Sequence, residues 1–98
     1  MTHDEVVLDI IKRAEQNGAT DLEIRGLEIE EVPKAIGNLV NLKRLTIRGT
    51  DIKSLPAEIG NLINLTHLNL SSNELTSLPP EIGNLINLTH LYLDYDGP

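Results

Sequence analysis

The sequence predicts an α/β solenoid, in which short coils of one shape stack side by side and share a parallel sheet. The main observation is a seven-residue segment, 59–65, that recurs unchanged at 82–88 and with one substitution at 36–42. The spacing is 23 residues each time, and a fixed period of this length is typical of repeat architectures. A second observation is that aliphatic residues two positions apart, such as Leu68 and Leu70, keep the same register in every copy. With 98 residues, the array is expected to form a single domain.

The first 18 residues do not repeat, and they predict a helical cap over residues 3–17. Thr2 with Glu5 three residues later is a capping box, and Gly18 is a typical C-terminal stop. Between them runs an apolar stripe made of Val6, Val7, Ile10, Ile11 and Ala14. The first coil of a solenoid would otherwise expose its apolar side, so we expect the stripe to cover it. Docking of an external partner on the stripe is the less favoured alternative.

The remaining chain divides into similar coils, each with one strand and one return segment. The predicted division is a cap at 1–18, coils at 19–41, 42–64 and 65–87, and a partial coil at 88–98. Paired aliphatics predict strands near 22–24, 45–47, 68–70 and 91–93. Pro79 and Gly83 cannot continue a strand, so the chain must return on an outer layer through about one turn of 3₁₀ helix.

Residues 65–75 read Leu-x-x-Leu-x-Leu-x-x-Asn-x-Leu, which resembles the leucine-rich repeat pattern. The 23-residue length and the Leu-Pro-x-x-Ile-Gly-x-Leu motif are similar to the Ras-suppressor type, found in bacterial and plant intracellular proteins and beside the GTPase domains of Roco proteins. The resemblance covers residues 19–96 and implies a right-handed solenoid whose sheet lines a concave face. It also implies an inward Asn at the ninth position of each coil. That position holds Leu27, Thr50, Asn73 and Asp96, which predicts a looser hydrogen-bond ladder in the first coils.

The resemblance further implies that the concave face binds a partner, and the outward positions vary between copies while the scaffold does not. The candidate partner-binding residues are Arg44, Arg48, His67, Asn69, His90, Tyr92, Asp94 and Tyr95. An equally weighted alternative is that these are only solvated positions of a short scaffold. The sequence thus favours a protein-interaction module with an unidentified protein partner.

His67 and His90 are expected on adjacent strands, within roughly 5 Å of each other. Two imidazoles at that distance suit Zn²⁺ binding or a pH-sensitive pair. Both, however, come from the repeated Asn-Leu-Thr-His-Leu segment, and no third ligand follows at a suggestive spacing. Duplication is therefore the favoured explanation, and no metal or other cofactor is predicted.

Composition excludes several function classes. The net charge of −7 argues against nucleic acid as a partner. All eight basic residues lie between Lys12 and Lys53. A solvated face is the favoured explanation of this asymmetry, and an amino-terminal half that meets an acidic partner is the alternative. Cysteine is absent, and no phosphate loop or nucleophile motif occurs, so no enzyme activity is expected. No apolar stretch reaches membrane-spanning length, and a cytoplasmic protein is the simplest expectation.

The carboxyl end departs from the family, which usually closes its array with an atypical unit. The sequence predicts an uncovered edge at Leu85, Leu88, Leu91 and Leu93. An exposed edge strand is a template for further pairing, so a homo-oligomer through this edge is the favoured expectation. The alternative is a regulatory fragment of a larger protein, such as a Roco-type GTPase.

Overall fold

The computed structural model describes residues 1–94 and shows a helix followed by alternating strands and 3₁₀ helices. The helix α1 spans His3–Gln16, and the strands are β1 (Asp21–Arg25), β2 (Arg44–Arg48), β3 (His67–Asn69) and β4 (His90–Tyr92). The 3₁₀ helices span Lys34–Asn38, Ala57–Asn61 and Pro80–Asn84. Among these described helices, none combines the length and apolarity needed to cross a membrane.

The four strands form one parallel sheet in chain order, β1-β2-β3-β4. Leu22, Leu45, Leu68 and Leu91 lie abreast across the sheet, as the repeat spacing predicts. Parallel strands need a crossover between them, and each 3₁₀ segment supplies it on the opposite side of the core. The solenoid architecture predicted from the sequence is therefore confirmed.

The core lies between the sheet and the 3₁₀ layer and consists of branched aliphatic residues. Leu45 and Leu68 from the sheet are 1% and 0% exposed, and Ile59 and Leu62 from the return layer are both 0% exposed. Because side chains of one size recur at each level, the leucines and isoleucines of neighbouring coils bury one another. This mutual burial gives each coil stability that it would lack alone.

The amino-terminal cap forms as predicted. The Thr2 hydroxyl accepts a hydrogen bond from the Glu5 backbone at 3.2 Å, and the Glu5 carboxylate accepts one from the Thr2 backbone. Val7 and Ile11 are buried, with Ala14 alongside them, and α1 packs against the first 3₁₀ helix. Val6 and Ile10 are only half-buried, so the covering face is narrower than the predicted stripe.

Asn73 is the inward asparagine that the family pattern implies. Its amide nitrogen donates to the carbonyl oxygens of Ile47 and Leu70, at 2.6 and 2.8 Å. Its amide oxygen accepts from the backbone nitrogen and the hydroxyl of Thr50, at 3.1 and 2.7 Å. Thr50 therefore substitutes in part by joining the Asn73 network, whereas Leu27 at the same position is a half-buried aliphatic. Asp96 lies outside the described residues.

Candidate protein-interaction surface

The strand residues that point away from the core form a surface that we call the sheet face. The register places Arg44 beside His67 and His67 beside His90. Two residues further along the same strands, Asn69 lies beside Tyr92. The structure thus brings together the candidates on β2, β3 and β4, because the pleat alternates inward leucines with outward polar residues.

The candidate side chains differ in their exposure to solvent. Arg44, His90, Tyr92 and Asp94 are exposed, and Tyr92 is 43% exposed. Arg48, His67 and Asn69 are half-buried. The Asn69 amide oxygen accepts a hydrogen bond from the Ser71 backbone at 3.0 Å, so this residue also shapes the end of β3. Tyr95 lies outside the described residues.

The part of the sheet face on β3 and β4 carries a stack of three rings. The imidazoles of His67 and His90 lie parallel, with centroids 4.2 Å apart and an angle of 7° between planes. Tyr92 stands against His90 at a centroid distance of 6.1 Å. Stacking of this kind fixes the ring positions before any partner arrives.

A threonine hydroxyl lies within hydrogen-bond distance of each histidine ring. The Thr66 hydroxyl donates to the Lys43 carbonyl at 3.0 Å and lies 2.8 Å from Nδ1 of His67. Thr89 repeats this arrangement with the Thr66 carbonyl and His90. When the hydroxyl hydrogen points to the carbonyl, the threonine oxygen accepts from Nδ1–H and the free lone pair of the neutral ring lies on Nε2. In the other tautomer the hydroxyl donates to Nδ1.

The surroundings of His67 favour its uncharged imidazole over the imidazolium. Partial burial lowers the pKa of His67, and the positive charges of His90 and Arg44 beside it lower it further. Burial and a like charge both disfavour the imidazolium. The His67 imidazole is therefore expected to be uncharged near neutral pH.

The histidine pair does not assemble a metal centre in this arrangement. Parallel rings direct equivalent nitrogens side by side, whereas one Zn²⁺ needs its nitrogen ligands to converge at about 2.0–2.1 Å. Within residues 1–94, no group of three or more His, Cys, Asp or Glu side chains is placed to hold a metal ion. The observed stack offers two nitrogen ligands and supports no metal assignment.

The carboxyl ends of β1 and β2 place two arginines side by side. Arg25 and Arg48 are direct partners in the register, beside a shallow depression of about 320 Å³ that Gly26, Gly49 and Ser72 also line. Arg25 is bound to Glu23, with Nε and Oε1 2.6 Å apart. Among residues 1–94, no carboxylate lies within ion-pair distance of Arg48, and its Nε is buried without a hydrogen-bond partner.

The predicted carboxyl-terminal edge needs one correction. Leu85 is only 5% exposed, because it belongs to the return layer of the third coil and points into the core as Leu62 does. Leu88 is half-buried against that core. Leu91 and Leu93, on and just after β4, are 40% and 45% exposed, so only these two match the expectation of an uncovered edge.

Sequence reasoning missed two features of the repeated Ile-Gly-Asn-Leu-Ile-Asn-Leu segment. Asn64 and Asn87 donate to the carbonyls of Val40 and Ile63 in the preceding coils, at 2.9 and 2.7 Å. These residues therefore tie coils together besides forming turns. The second feature is an apolar column, Val40, Ile63 and Ile86, that is 50%, 54% and 83% exposed. The available signal was an aliphatic position that recurs directly before an asparagine in all three copies.

Comparison with known proteins agrees with this architecture. The model of the family described as leucine-rich repeat region matches residues 21–97, and the chain belongs to this family. Curated proteins provide no significant sequence match. The assignment to the Ras-suppressor type stays a prediction.

Three solved structures illustrate the likeness. A leucine-rich repeat protein of Leptospira interrogans is 34% identical over 82% of this chain, with a TM-score of 0.71. An internalin from Listeria monocytogenes is 26% identical over 92%, with a TM-score of 0.72. The leucine-rich repeat domain of a type III effector is 24% identical over 93%, with a TM-score of 0.68, and shows the fold alone. This chain spans 26%, 28% and 42% of those three chains.

Proposed function

We propose that this chain is a protein-interaction module without catalytic activity, and that it binds its partner through the sheet face. The observation that carries the proposal is the row of exposed, chemically different side chains held in register by a repetitive aliphatic core. Arg44, His90 and Tyr92 are all exposed on this row. Arginine and tyrosine are residue types that dominate binding energy at protein interfaces.

Rigidity supports the same proposal. The stacked imidazoles of His67 and His90 each contact a threonine hydroxyl, and the backbone beneath the His67–His90–Tyr92 stack is paired strand to strand. A partner that docks here meets side chains that are already positioned. Little ordering entropy is then lost on binding, which favours affinity from a small surface.

The test is selection of a displayed peptide library on the immobilised chain, followed by affinity measurement with variants. The variant Arg44→Ala/Tyr92→Ala removes two exposed groups from the sheet face. The matched control, Lys34→Ala/Ile63→Ala, removes one cation and one exposed apolar group from the return layer. Selected peptides are expected to lose at least about tenfold in affinity for the first variant and to keep it for the second.

Equal binding to both variants, or loss only with the return-layer control, contradicts the proposal. Circular dichroism and thermal unfolding of each variant separate lost binding from lost folding. Both substituted pairs are surface residues, so we expect the fold to survive.

A second candidate function is self-association through β4. The observation that favours it is that Leu91 and Leu93 are 40% and 45% exposed, while their neighbours Leu68 and Leu70 are 0% and 2% exposed. β4 also pairs only with β3 among the described strands. A second copy that covers this edge would bury the leucines and satisfy the free strand edge.

Size-exclusion chromatography with light scattering tests this candidate at micromolar concentration. Wild type is expected to run as a dimer or larger species, and Leu91→Asp/Leu93→Asp as a monomer. A wild-type chain that stays monomeric throughout the concentration range rules the candidate out.

A further inference from the structure

Arg48 differs from its register partner in how its charge is compensated. The Arg25 guanidinium is bound to Glu23, and both side chains are more than half exposed to solvent. The Arg48 guanidinium has no carboxylate partner among residues 1–94, and its Nε lies buried without any hydrogen-bond partner. A buried donor without a partner is rare in folded proteins, and it marks a charge that is already partly stripped of water.

Because its Nε is already removed from water on folding, the Arg48 guanidinium is partly desolvated before a carboxylate approaches it. Water competes less for a partly desolvated cation, so an added carboxylate makes a stronger pair than it makes at an open surface arginine. Arg44 provides the comparison. It lies on the same strand and the same face, roughly 13 Å away at about 3.3 Å per residue, but it is exposed.

The surface beside Arg48 leaves room for such a group. Gly26 and Gly49 line the depression with φ of +64° and +67°, a backbone conformation that side chains rarely adopt. Nothing lies within 4 Å of the position that a Cβ on Gly26 would take. The backbone amides of these glycines already donate to the carbonyls of Arg48 and Ser72, so they are not free to bind a ligand. The hydrogen-bond donors for a ligand are therefore the arginine side chains, and the glycines leave room for it.

The net charge limits what the depression can bind. A chain of charge −7 repels a polyanion, and Glu23 beside Arg25 adds local negative charge. A ligand with a single carboxylate avoids most of this repulsion. The ligand chemistry that fits is therefore an Asp or Glu side chain within an otherwise uncharged protein segment.

We propose that Arg48, with Arg25 and the open backbone at Gly26, forms a carboxylate-binding subsite for an acidic residue of a protein partner. The inference rests on the proposed function of the sheet face and names the chemistry of one contact within it. Arg48 pairs with the ligand carboxylate through its terminal nitrogens, because its Nε is not accessible. Arg25 adds a second positive charge at the rim.

The experiment is an NMR titration of the whole chain that follows the Nε–H signals of its arginines. The probe is the peptide acetyl-Gly-Asp-Gly-amide, and the control probe is acetyl-Gly-Asn-Gly-amide, which differs only by the charge. A buried Nε–H exchanges slowly, so the Arg48 signal is expected to remain visible at neutral pH. We expect it to shift in a saturable way with the Asp peptide and not with the Asn peptide.

Two matched variants locate the effect. Arg48→Gln is expected to weaken binding of the Asp peptide by about tenfold or more, the value of a charge-assisted contact, whereas Arg13→Gln on the cap helix leaves it nearly unchanged. Arg48→Lys keeps the charge but loses the planar fork, and it is expected to bind with intermediate affinity. The backbone NMR spectrum of each variant confirms that the fold is retained.

Equal shifts at Arg44 and Arg48, shifts with the Asn peptide, or unchanged affinity in Arg48→Gln would overturn the subsite. A stronger response to inorganic phosphate than to the Asp peptide would overturn the assignment to a carboxylate. The peptide-library test fails or succeeds independently, because it depends on Arg44 and Tyr92. The two proposals can therefore be rejected separately.

Discussion

The two ends of the described array treat equivalent aliphatic residues differently. At the amino end, α1 lies over the first coil, and its Val7 and Ile11 are 0% and 1% exposed. At the other end, Leu91 is 40% exposed, although Leu68 one coil earlier is 0% exposed. The same residue in the same register is core in one coil and surface in the next. Burial in this fold is therefore a property of the neighbour and not of the coil itself.

The glycines of the return layer show the same contrast. A Cβ on Gly60 would come within 2.9 Å of both the Cβ and the carbonyl oxygen of Glu81 in the next coil. A Cβ on Gly83 would meet nothing within 4 Å. Glycine is thus required for close packing at one level and unconstrained by packing at the other.

The largest expected effect comes from truncating the inward leucine at each level. Leu68→Ala is expected to lower the free energy of unfolding by about 2–5 kcal/mol, because it leaves a cavity between two coils. Leu91→Ala, at a site that is already partly hydrated, is expected to cost about 1 kcal/mol or less. Urea unfolding followed by circular dichroism measures both. Equal losses would show that β4 is covered in solution, and Leu68 and Leu91 would then not differ in burial.

Alanine at the two glycines gives a smaller but sharper contrast. Gly60→Ala is expected to destabilise the chain by about 1–3 kcal/mol, since the added methyl group forces the third coil away from the second. Gly83→Ala is expected to be neutral or to stabilise by up to about 1 kcal/mol, because it restricts only the unfolded chain. Thermal unfolding of the two variants under one buffer condition compares them. If Gly83→Ala is as damaging as Gly60→Ala, another chain must pack against this glycine.

The smallest expected effect concerns the histidine column that crosses the sheet toward the exposed edge. The pKa of His67 is lowered by burial, by His90 and by Arg44, so its NMR titration midpoint is expected below the ordinary value of 6.5. Replacing His90 by Gln removes one positive neighbour and is expected to move the midpoint upward toward 6.5. A midpoint at or above 6.5 in the wild-type chain contradicts this account.

The same shift fixes the sign of the pH dependence of stability. When the folded pKa of His67 lies below 6.5, the unfolded state binds more protons between those two values. The contribution of His67 to stability is therefore complete above about pH 6.5, decreases as the pH falls through this value, and is fully lost below the folded pKa. His67→Gln is expected to remove this component from a pH series of urea unfolding curves. An unchanged pH dependence in that variant would assign the effect to other groups.

Much of the architecture could be predicted because residues at equivalent positions of the repeat take equivalent positions in the stacked coils. The spacing placed Leu22, Leu45, Leu68 and Leu91 abreast, and the pleat then determined which residues share the sheet face. The capping box at Thr2 could be read for the same reason, since its signal lies within four consecutive residues. Local pattern and fixed period carry this information without reference to distant contacts.

Other features needed the assembled structure. The Glu28 backbone donates to Nδ1 of His3 at 2.7 Å and so anchors the cap. The two residues are 25 positions apart, and no sequence motif predicts their contact. The burial of the Arg48 Nε likewise depends on the atoms that surround it, and arginines 44 and 48 look alike in the sequence. Leu85 was expected at the edge but lies in the core, because its side chain points back into its own coil.

By itself, then, the sequence determined the family, the strand register and the residues that face outward, since a 23-residue period and a two-residue pleat leave one consistent stacking. Only the tertiary structure decided which copies of a repeated residue are buried and that, within residues 1–94, the Nε of Arg48 is buried without a hydrogen-bond partner. Exposure and charge compensation arise from neighbours on other coils. Near-identical repeats therefore carry near-identical local signals while they occupy different surroundings.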